Sequence, residues 1–276
     1  MCCEKCIKPL NIVDLQGISC YIWCMSDEQN LVINWFPGHM KRAMDQIREH
    51  LGVCDAIIYV LDARAPLSCL NPAFTEFVGR KPVLFALNKI DLAPAGTLDF
   101  FKKHHKNVVA LDSTQSGTGK KIIDGLRVLL KDKIDRSAAK GVARPIRAIV
   151  IGVPNSGKST LINNLAQKAK TQTGNKPGVT KQRQWVATRE PLLWLLDMPG
   201  TLWPRLDDQR VARNLAYIGS IKDDVLDVVA LADALVAQLK LTVKPRGQTE
   251  EQQAVAVLKD FRSGKFGKFN LDFKNN

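Results

Sequence analysis

Short apolar runs alternate with longer amphipathic ones along most of this chain. Along the basic segment Lys41–Leu51 and the Met40 before it, apolar residues at Met40, Met44, Ile47 and Leu51 fall on one face at helical spacing. Asp55–Leu61 is different: Ile and Val follow one another without alternation, which predicts a strand buried on both faces, as in a parallel sheet. Pro82–Leu87, Asn107–Leu111 and Ala148–Ile151 repeat that pattern, and Trp185–Thr188 and Leu192–Leu196 add two more strands. Helices are predicted for Ile122–Ile134, from the Gly152–Thr160 turn through Ala166 and for Val225–Leu239, with 135–147 a polar, basic connector. Beyond Asp207 strand signals fade, and the last thirty residues are polar and basic. Strands alternating with helices, and polar clusters at the ends of the strands, imply an open α/β sheet with its site along that edge.

The clusters have chemical content. Gly152-x4-Gly157-Lys158-Ser159-Thr160 follows a strand and opens a helix, the setting in which glycines let backbone N–H groups, with those of Ser156 and Gly157 among them, close round a β-phosphate. Lys158 is then placed for the β- and γ-phosphates, and Ser159 offers a hydroxyl to Mg²⁺. This predicts a nucleoside triphosphate without saying which. Asn88-Lys89-Ile90-Asp91, at another strand end, addresses the base: a carboxylate at Asp91 accepts the paired N1–H and N2 amino protons of guanine, which adenine lacks. Ser113-Thr114, at the next strand end, is positioned for backbone contacts to the guanine oxygen. Asp197-x-x-Gly200 reads as a sensor, Asp197 reaching the metal and the Gly200 N–H the γ-phosphate, with Thr180 upstream as a second hydroxyl for Mg²⁺.

In this chain the base-reading motif precedes the phosphate-binding turn, the reverse of the Ras-like order. With Trp35-Phe36-Pro37-Gly38-His39-Met40 ahead and Gly200-Thr201-Leu202-Trp203-Pro204 behind, the order resembles the YlqF/RbgA family of circularly permuted ribosome-biogenesis GTPases over about residues 33–222. The resemblance implies a circularly permuted Ras-like P-loop GTPase domain with a small C-terminal helical domain. It also implies GTP hydrolysis, a role in assembling the large ribosomal subunit, and binding to that subunit's precursor and its rRNA. Thr201 and Leu202 stand where Ras-like enzymes carry a water-orienting Gln, and the resemblance implies His39 in that office; a capping or RNA-contacting His39 is the other reading. For Asn155 it implies K⁺ coordination, K⁺ supplying the charge of an arginine finger.

Charge adds a partner. Forty Lys+Arg against 27 Asp+Glu leave +13, which favours a polyanion. Residues 168–189 hold Lys168, Lys170, Lys176, Lys181, Arg183 and Arg189 with no acid, either a solvated loop or a nucleotide-ordered contact to rRNA phosphates. Lys259, Arg262, Lys265 and Lys268 interleave with Phe261, Phe266 and Phe269, which suits RNA or a tail docked on the core. A P-loop kinase acting on a small molecule leaves Asn88–Asp91 without a role, whereas an RNA-associated guanine-nucleotide sensor without significant hydrolysis remains the alternative.

No window approaches about 20 uninterrupted apolar residues, so no membrane span is expected. Five of the seven Cys lie in the first 24 residues without the paired C-x-x-C spacing of a zinc site, and a reduced, cytoplasmic compartment fits their usage. Residues 1–33 are expected to be an extension, with Met25 as the true start; 34–206 the GTPase domain; 207–276 a helical, RNA-contacting region. A monomer is expected.

Overall fold

The computed structural model describes residues 11–13, 19–21, 33, 39–74, 81–141, 145–166, 185–188, 193–202, 206–244 and 249–273. The chain separates into two compact units. Asn34–Ser220 with Lys268–Asn276 form one, and Ile221–Gly267 with Met1–Ile33 form the other.

Among the described residues the larger unit is built on a six-stranded sheet. Its strands are β3 (Ala56–Asp62), β4 (Val83–Asn88), β5 (Val108–Ala110), β6 (Ile146–Ile151), β7 (Trp185–Ala187) and β8 (Leu193–Asp197), in the spatial order β5-β4-β3-β6-β8-β7. All neighbours are parallel except β7, which runs antiparallel to β8 at the edge. Every residue of β3 and β4 is buried, which is why these strands read as unbroken apolar runs. On one face Ile58, Val60, Leu84, Ala86 and Val150 pack with Ile122 and Leu126 of α3 (Thr118–Leu129) and Leu161 and Ile162 of α5 (Lys158–Leu165). On the other, Tyr59 stacks on Phe85 and meets Phe74 edge-on, and Phe85 meets Phe101 of α2 (Thr97–His104) edge-on. Helix α1 (His39–Leu51) buries Met44, Ile47 and Leu51 along its predicted face.

Three differences from the sequence expectations have physical causes. The single helix expected over Ile122–Ile134 is two, α3 and α4 (Lys131–Ala138), divided at Leu130, and α4 takes the start of the expected connector. Helix α2 is not anticipated, whereas α6 (Gln209–Tyr217) falls in the region 207–276 expected to be helical; it is capped by the Asp208 carboxylate, which accepts from the Arg210 and Val211 amides. The unit boundary falls after Ser220, not at 206/207, because α6 buries Ala212, Leu215, Ala216 and Tyr217 within the larger unit.

The smaller unit contains α7 (Val228–Leu239) and α8 (Glu250–Arg262), with Leu231, Leu235 and Leu239 buried on one and Ala254, Val257, Leu258 and Phe261 on the other. Asp227 and Thr249 cap them by accepting backbone N–H bonds, and Arg262 grips Asp223 with two bonds of 2.7 Å. Helix α8 lies in the region 207–276 expected to be helical, within the stretch that composition marks as polar and basic. A short hairpin, β1 (Asn11–Val13) with β2 (Ser19–Tyr21), precedes α1. Among the described residues no helix is long and apolar enough to cross a membrane.

At the base of the sheet, opposite the ends that carry the motifs, the buried Asp55 carboxylate accepts from Lys133 Nζ (2.5 Å) and from the Arg147 amide (2.8 Å), joining α4 and β6 to the start of β3. Asp55→Ala removes both acceptors and should cost about 2 kcal/mol in chemical denaturation. Nucleotide affinity should be unchanged, because the carboxylate sits at the far edge.

Candidate guanine-nucleotide site

Four strand ends converge at the carboxyl edge of the sheet. β3 ends on Asp62, β4 on Asn88 and β8 on Asp197, and β6 ends one residue before Gly152. The turn from Gly152 to Gly157 then delivers Lys158 as the first residue of α5. Gly157 has a φ of 94°, and a Cβ there would lie 2.1 Å from Asn88 Nδ2, so only glycine lets the turn approach β4 this closely. Asn155 also adopts a left-handed backbone, with φ 58°.

Asn88 ties the edge together. Its Nδ2 donates to the Ser156 carbonyl (2.8 Å) and to Ser113 Oγ (3.1 Å), while its Oδ1 accepts the Ser113 amide (2.8 Å). Asn88 is fully buried, so it acts as a brace between the base-reading and phosphate-binding segments. Lys89, at φ 57°, donates from Nζ to the Asn155 carbonyl (2.7 Å) and to Asp62 (2.9 Å). These bonds leave Asp91 exposed on the same turn, its carboxylate presented to solvent. Ser113 is buried, and Thr114 is held by its amide and hydroxyl on the Asp112 carboxylate.

On the phosphate side, Lys158 Nζ is buried and donates to the Val153 carbonyl (2.8 Å). Burial lowers its pKa to about 8, partly offset by the Asp197 carboxylate. Asp197 is shifted the other way, upward, by its own burial, with Lys158 and the Ser159 hydroxyl opposing. The Ser159 hydroxyl lies 3.4 Å from one Asp197 oxygen, and the other oxygen is buried without a hydrogen-bond partner among the described residues. A hydroxyl beside an unsatisfied carboxylate oxygen suits a hard cation such as Mg²⁺, which would take that oxygen as a direct or water-mediated ligand. Gly200 sits against the phosphate turn: a Cβ on it would come within 2.7 Å of Pro154 Cα and 3.0 Å of Lys158 Nζ. The Thr201 amide donates to the Gly152 carbonyl, so the sensor and the turn are in direct contact.

The structure therefore gathers Asn88, Lys89, Ser113, Asn155, Ser156, Gly157, Lys158, Ser159, Asp197 and Gly200 at one edge, with Asp91, Thr114 and Thr160 on the same turns and helix. Thr180, Lys176, Lys181 and Arg183 lie outside the described residues. His39 opens α1, and its side chain lies outside them as well. Lys265 is ion-paired with Asp260 at 2.6 Å, and Lys268 is exposed.

Two groups of site residues escaped the sequence reading. Asp62, wholly buried, accepts both Nε (2.9 Å) and Nη2 (2.8 Å) of buried Arg64 as well as Lys89, and its carboxyl is held well below the usual range, the two cations outweighing burial. Gly219 and Ser220, after α6, hold the phosphate turn: Asn155 Nδ2 donates to the Gly219 carbonyl (2.6 Å) and Ser220 Oγ to the Pro154 carbonyl (2.8 Å). A buried-type carboxylate at a strand end, followed at i+2 by Arg, was the available signal for the first group. The second had none.

Comparison with known proteins gives the site a family. A ribosome biogenesis GTPase A from Bacillus cereus is 43% identical over 220 residues, covering 78% of this chain and 73% of that protein. Its counterpart from Priestia megaterium is 37% identical and covers 88% of this chain and 97% of the relative. This chain belongs to the ribosome biogenesis GTPase A (YlqF/RbgA) family. A broader family described as 50S ribosome-binding GTPase matches residues 147–260. A GNP-bound crystal structure of YlqF from T. maritima shares the fold, with a TM-score of 0.61 at 23% identity, covering 85% of this chain and 99% of that one. The sheet is thus the circularly permuted GTPase sheet, with base-reading strands first in the chain and the phosphate turn after them.

If Lys158 meets the phosphates, its lowered pKa predicts proton-linked nucleotide binding. A phosphate beside Nζ favours the ammonium and raises its pKa, so binding takes up a proton where the empty site has lost one, above about pH 8. Calorimetry of GDP binding in buffers of different ionisation enthalpy should show net uptake near pH 9, and little near about pH 6.5, where Lys158 is already charged. Affinity should weaken as pH rises through 8.

Proposed function

We propose that this GTPase is an assembly factor that binds the precursor of the large ribosomal subunit, through its rRNA, in the GTP state and leaves after hydrolysis. The observation that carries the reading is the joining, through one buried amide, of a guanine-reading turn to a phosphate-binding turn. A nucleotide held by both is a GTP-sized ligand whose base and γ-phosphate are sensed by one rigid edge. The relatives are named for ribosome biogenesis, and the broader family for 50S ribosome binding, which supports the partner. The charge of +13 supports rRNA as the part contacted.

In this reading Asp91 accepts from the guanine edge, Asn88 and Lys89 hold that turn in place, and Ser113 and Thr114 offer backbone contacts to the base. The backbone of Ser156–Thr160 surrounds the phosphates, and Lys158 leaves the Val153 carbonyl for the β- and γ-phosphates. Ser159, Thr180 and Asp197 hold Mg²⁺, which supplies positive charge to the phosphoryl oxygens when bound. The Gly200 amide donates to the γ-phosphate. Asn155 already uses Nδ2 on the Gly219 carbonyl, so its amide oxygen is the group available to K⁺. His39 orients the attacking water, and Lys158 and Thr180 stabilise the charge that develops as the bond breaks. Lys176, Lys181, Arg183, Lys265 and Lys268 contact rRNA phosphates. The compartment is the cytoplasm, and the protein acts as a monomer.

Large ribosomal subunits should raise GTP turnover about tenfold or more, and His39→Ala should lower that stimulated rate about a hundredfold while sparing GDP affinity. Unstimulated turnover would favour the nucleotide-sensor alternative, and an unchanged His39→Ala rate would remove His39 from the chemistry. Turnover should be several-fold faster in KCl than in NaCl, since Na⁺ holds fewer oxygen ligands; equal rates would exclude the Asn155 role. Co-sedimentation with subunit precursors should be strong with a non-hydrolysable GTP analogue and weak with GDP, and equal binding in both would contradict the cycle.

A further inference from the structure

The last described residues do not trail from the smaller unit. Phe269–Phe273 belong to the larger one and lie along the back of its base-reading turn. The Phe269 amide donates to the carbonyl of Leu92, the residue after Asp91. Asn270, buried, donates from Nδ2 to the Ala63 carbonyl (3.3 Å) and to Thr97 Oγ1 at the start of α2 (3.4 Å). The Leu271 amide donates to the Arg64 carbonyl (2.7 Å). The Asp272 carboxylate accepts the Leu67 amide (2.6 Å), the Ser68 amide and hydroxyl, and Asn214 Nδ2 of α6. Phe273 packs on Phe100, with ring centroids 4.0 Å apart.

These contacts meet the nucleotide edge by two routes. One is direct, through Leu92 to its neighbour Asp91. The other runs through Arg64: its backbone is held by Leu271, its guanidinium holds Asp62, Asp62 holds Lys89, and Lys89 holds the Asn155 carbonyl of the phosphate turn. The middle of the second route, Arg64 on Asp62, is buried, and the chain passes from there through the half-buried Lys89 to the phosphate turn, so a shift of the Arg64 backbone is carried to Lys89 by a pair that solvent does not reach.

We propose that Phe269–Phe273 is a strap that sets guanine-nucleotide affinity, with Asn270 and Asp272 as positioning residues acting through Arg64, Asp62 and Lys89. The proposal rests on the guanine-nucleotide reading of the site. Docked, the strap holds the turn of Asp91 and the Lys89 link in the geometry that binds nucleotide. Undocked, the Ala63–Ser68 loop and the Leu92 turn lose their outer support, and the nucleotide leaves faster. Affinity coupling is reciprocal, so bound nucleotide must in turn hold the strap.

Release of a fluorescent GDP analogue, measured by stopped flow on the full chain, tests this. Asp272→Ala and Asn270→Ala should each release it at least fivefold faster than the unsubstituted protein, with the guanine-over-xanthine preference reduced in parallel. Melting temperature is recorded alongside: a folded variant with a lowered melting point but unchanged release makes the strap merely structural and overturns the proposal. Hydrogen exchange on the unsubstituted protein gives a second test that does not depend on any variant folding. The Phe269 and Leu271 amides should exchange several-fold more slowly with GDP than without, and equal exchange at saturating GDP overturns the coupling. Absence of GDP binding to the unsubstituted protein would instead remove the guanine-nucleotide reading itself.

Discussion

The side-chain amide of Asn88 is buried where the ends of β4 and β6 and the turn after β5 come together, and all three of its close hydrogen bonds run between those segments. A buried amide is costly unless its donors and acceptor are met, and here they are met only if the phosphate turn, the base-reading turn and Ser113 take these relative positions. Gly157 makes the arrangement possible from the other side, because any side chain there would displace the amide. The constraint is mutual. Asn88 fixes the phosphate turn, and the phosphate turn leaves no other place for Asn88.

This is what makes chain order irrelevant to the site. Asn88 and Ser156 are 68 residues apart, and β3 pairs with β4 on one side and with β6 on the other. Cutting a Ras-like sheet ahead of β3 and rejoining it elsewhere preserves every strand neighbour, so the carboxyl edge keeps the same groups. The charges there are also arranged in compensating sets. Asp62 lies between Arg64 and Lys89, and buried Lys158 and Asp197 shift one another toward their charged forms against the cost of burial. Lys158 donates to the Val153 carbonyl of its own turn, so its buried ammonium has a partner.

The sheet was largely legible because its central strands are buried on both faces and read as apolar runs that no helix imitates at that length. The motifs were legible because phosphate and guanine recognition each demand particular residues at fixed spacing. Other features depend on partners distant in sequence, and local pattern carries no trace of them. Asp62 and Arg64 read as an ordinary strand end until Lys89 is beside them. Asn155 showed an amide but not that Gly219 occupies half of it. Phe269 was open to two readings, RNA contact or docking on the core, and its amide in fact bonds to the Leu92 carbonyl. The break between α3 and α4 is not legible because residues on both sides of Leu130 continue a helical apolar pattern.

The central claim is that Asp91 reads the base of a nucleotide whose phosphates lie on Lys158. Replacing Asp91 by Asn exchanges one carboxylate acceptor for an amide donor, which suits the carbonyl that xanthine carries where guanine has an amino group. The direct measurement is competition between GDP and XDP for the Asp91→Asn protein and for the unsubstituted one. The account predicts that the variant loses GDP affinity at least a hundredfold and binds XDP more tightly than GDP. A variant that holds GDP as firmly as before, with no gain for XDP, would contradict it.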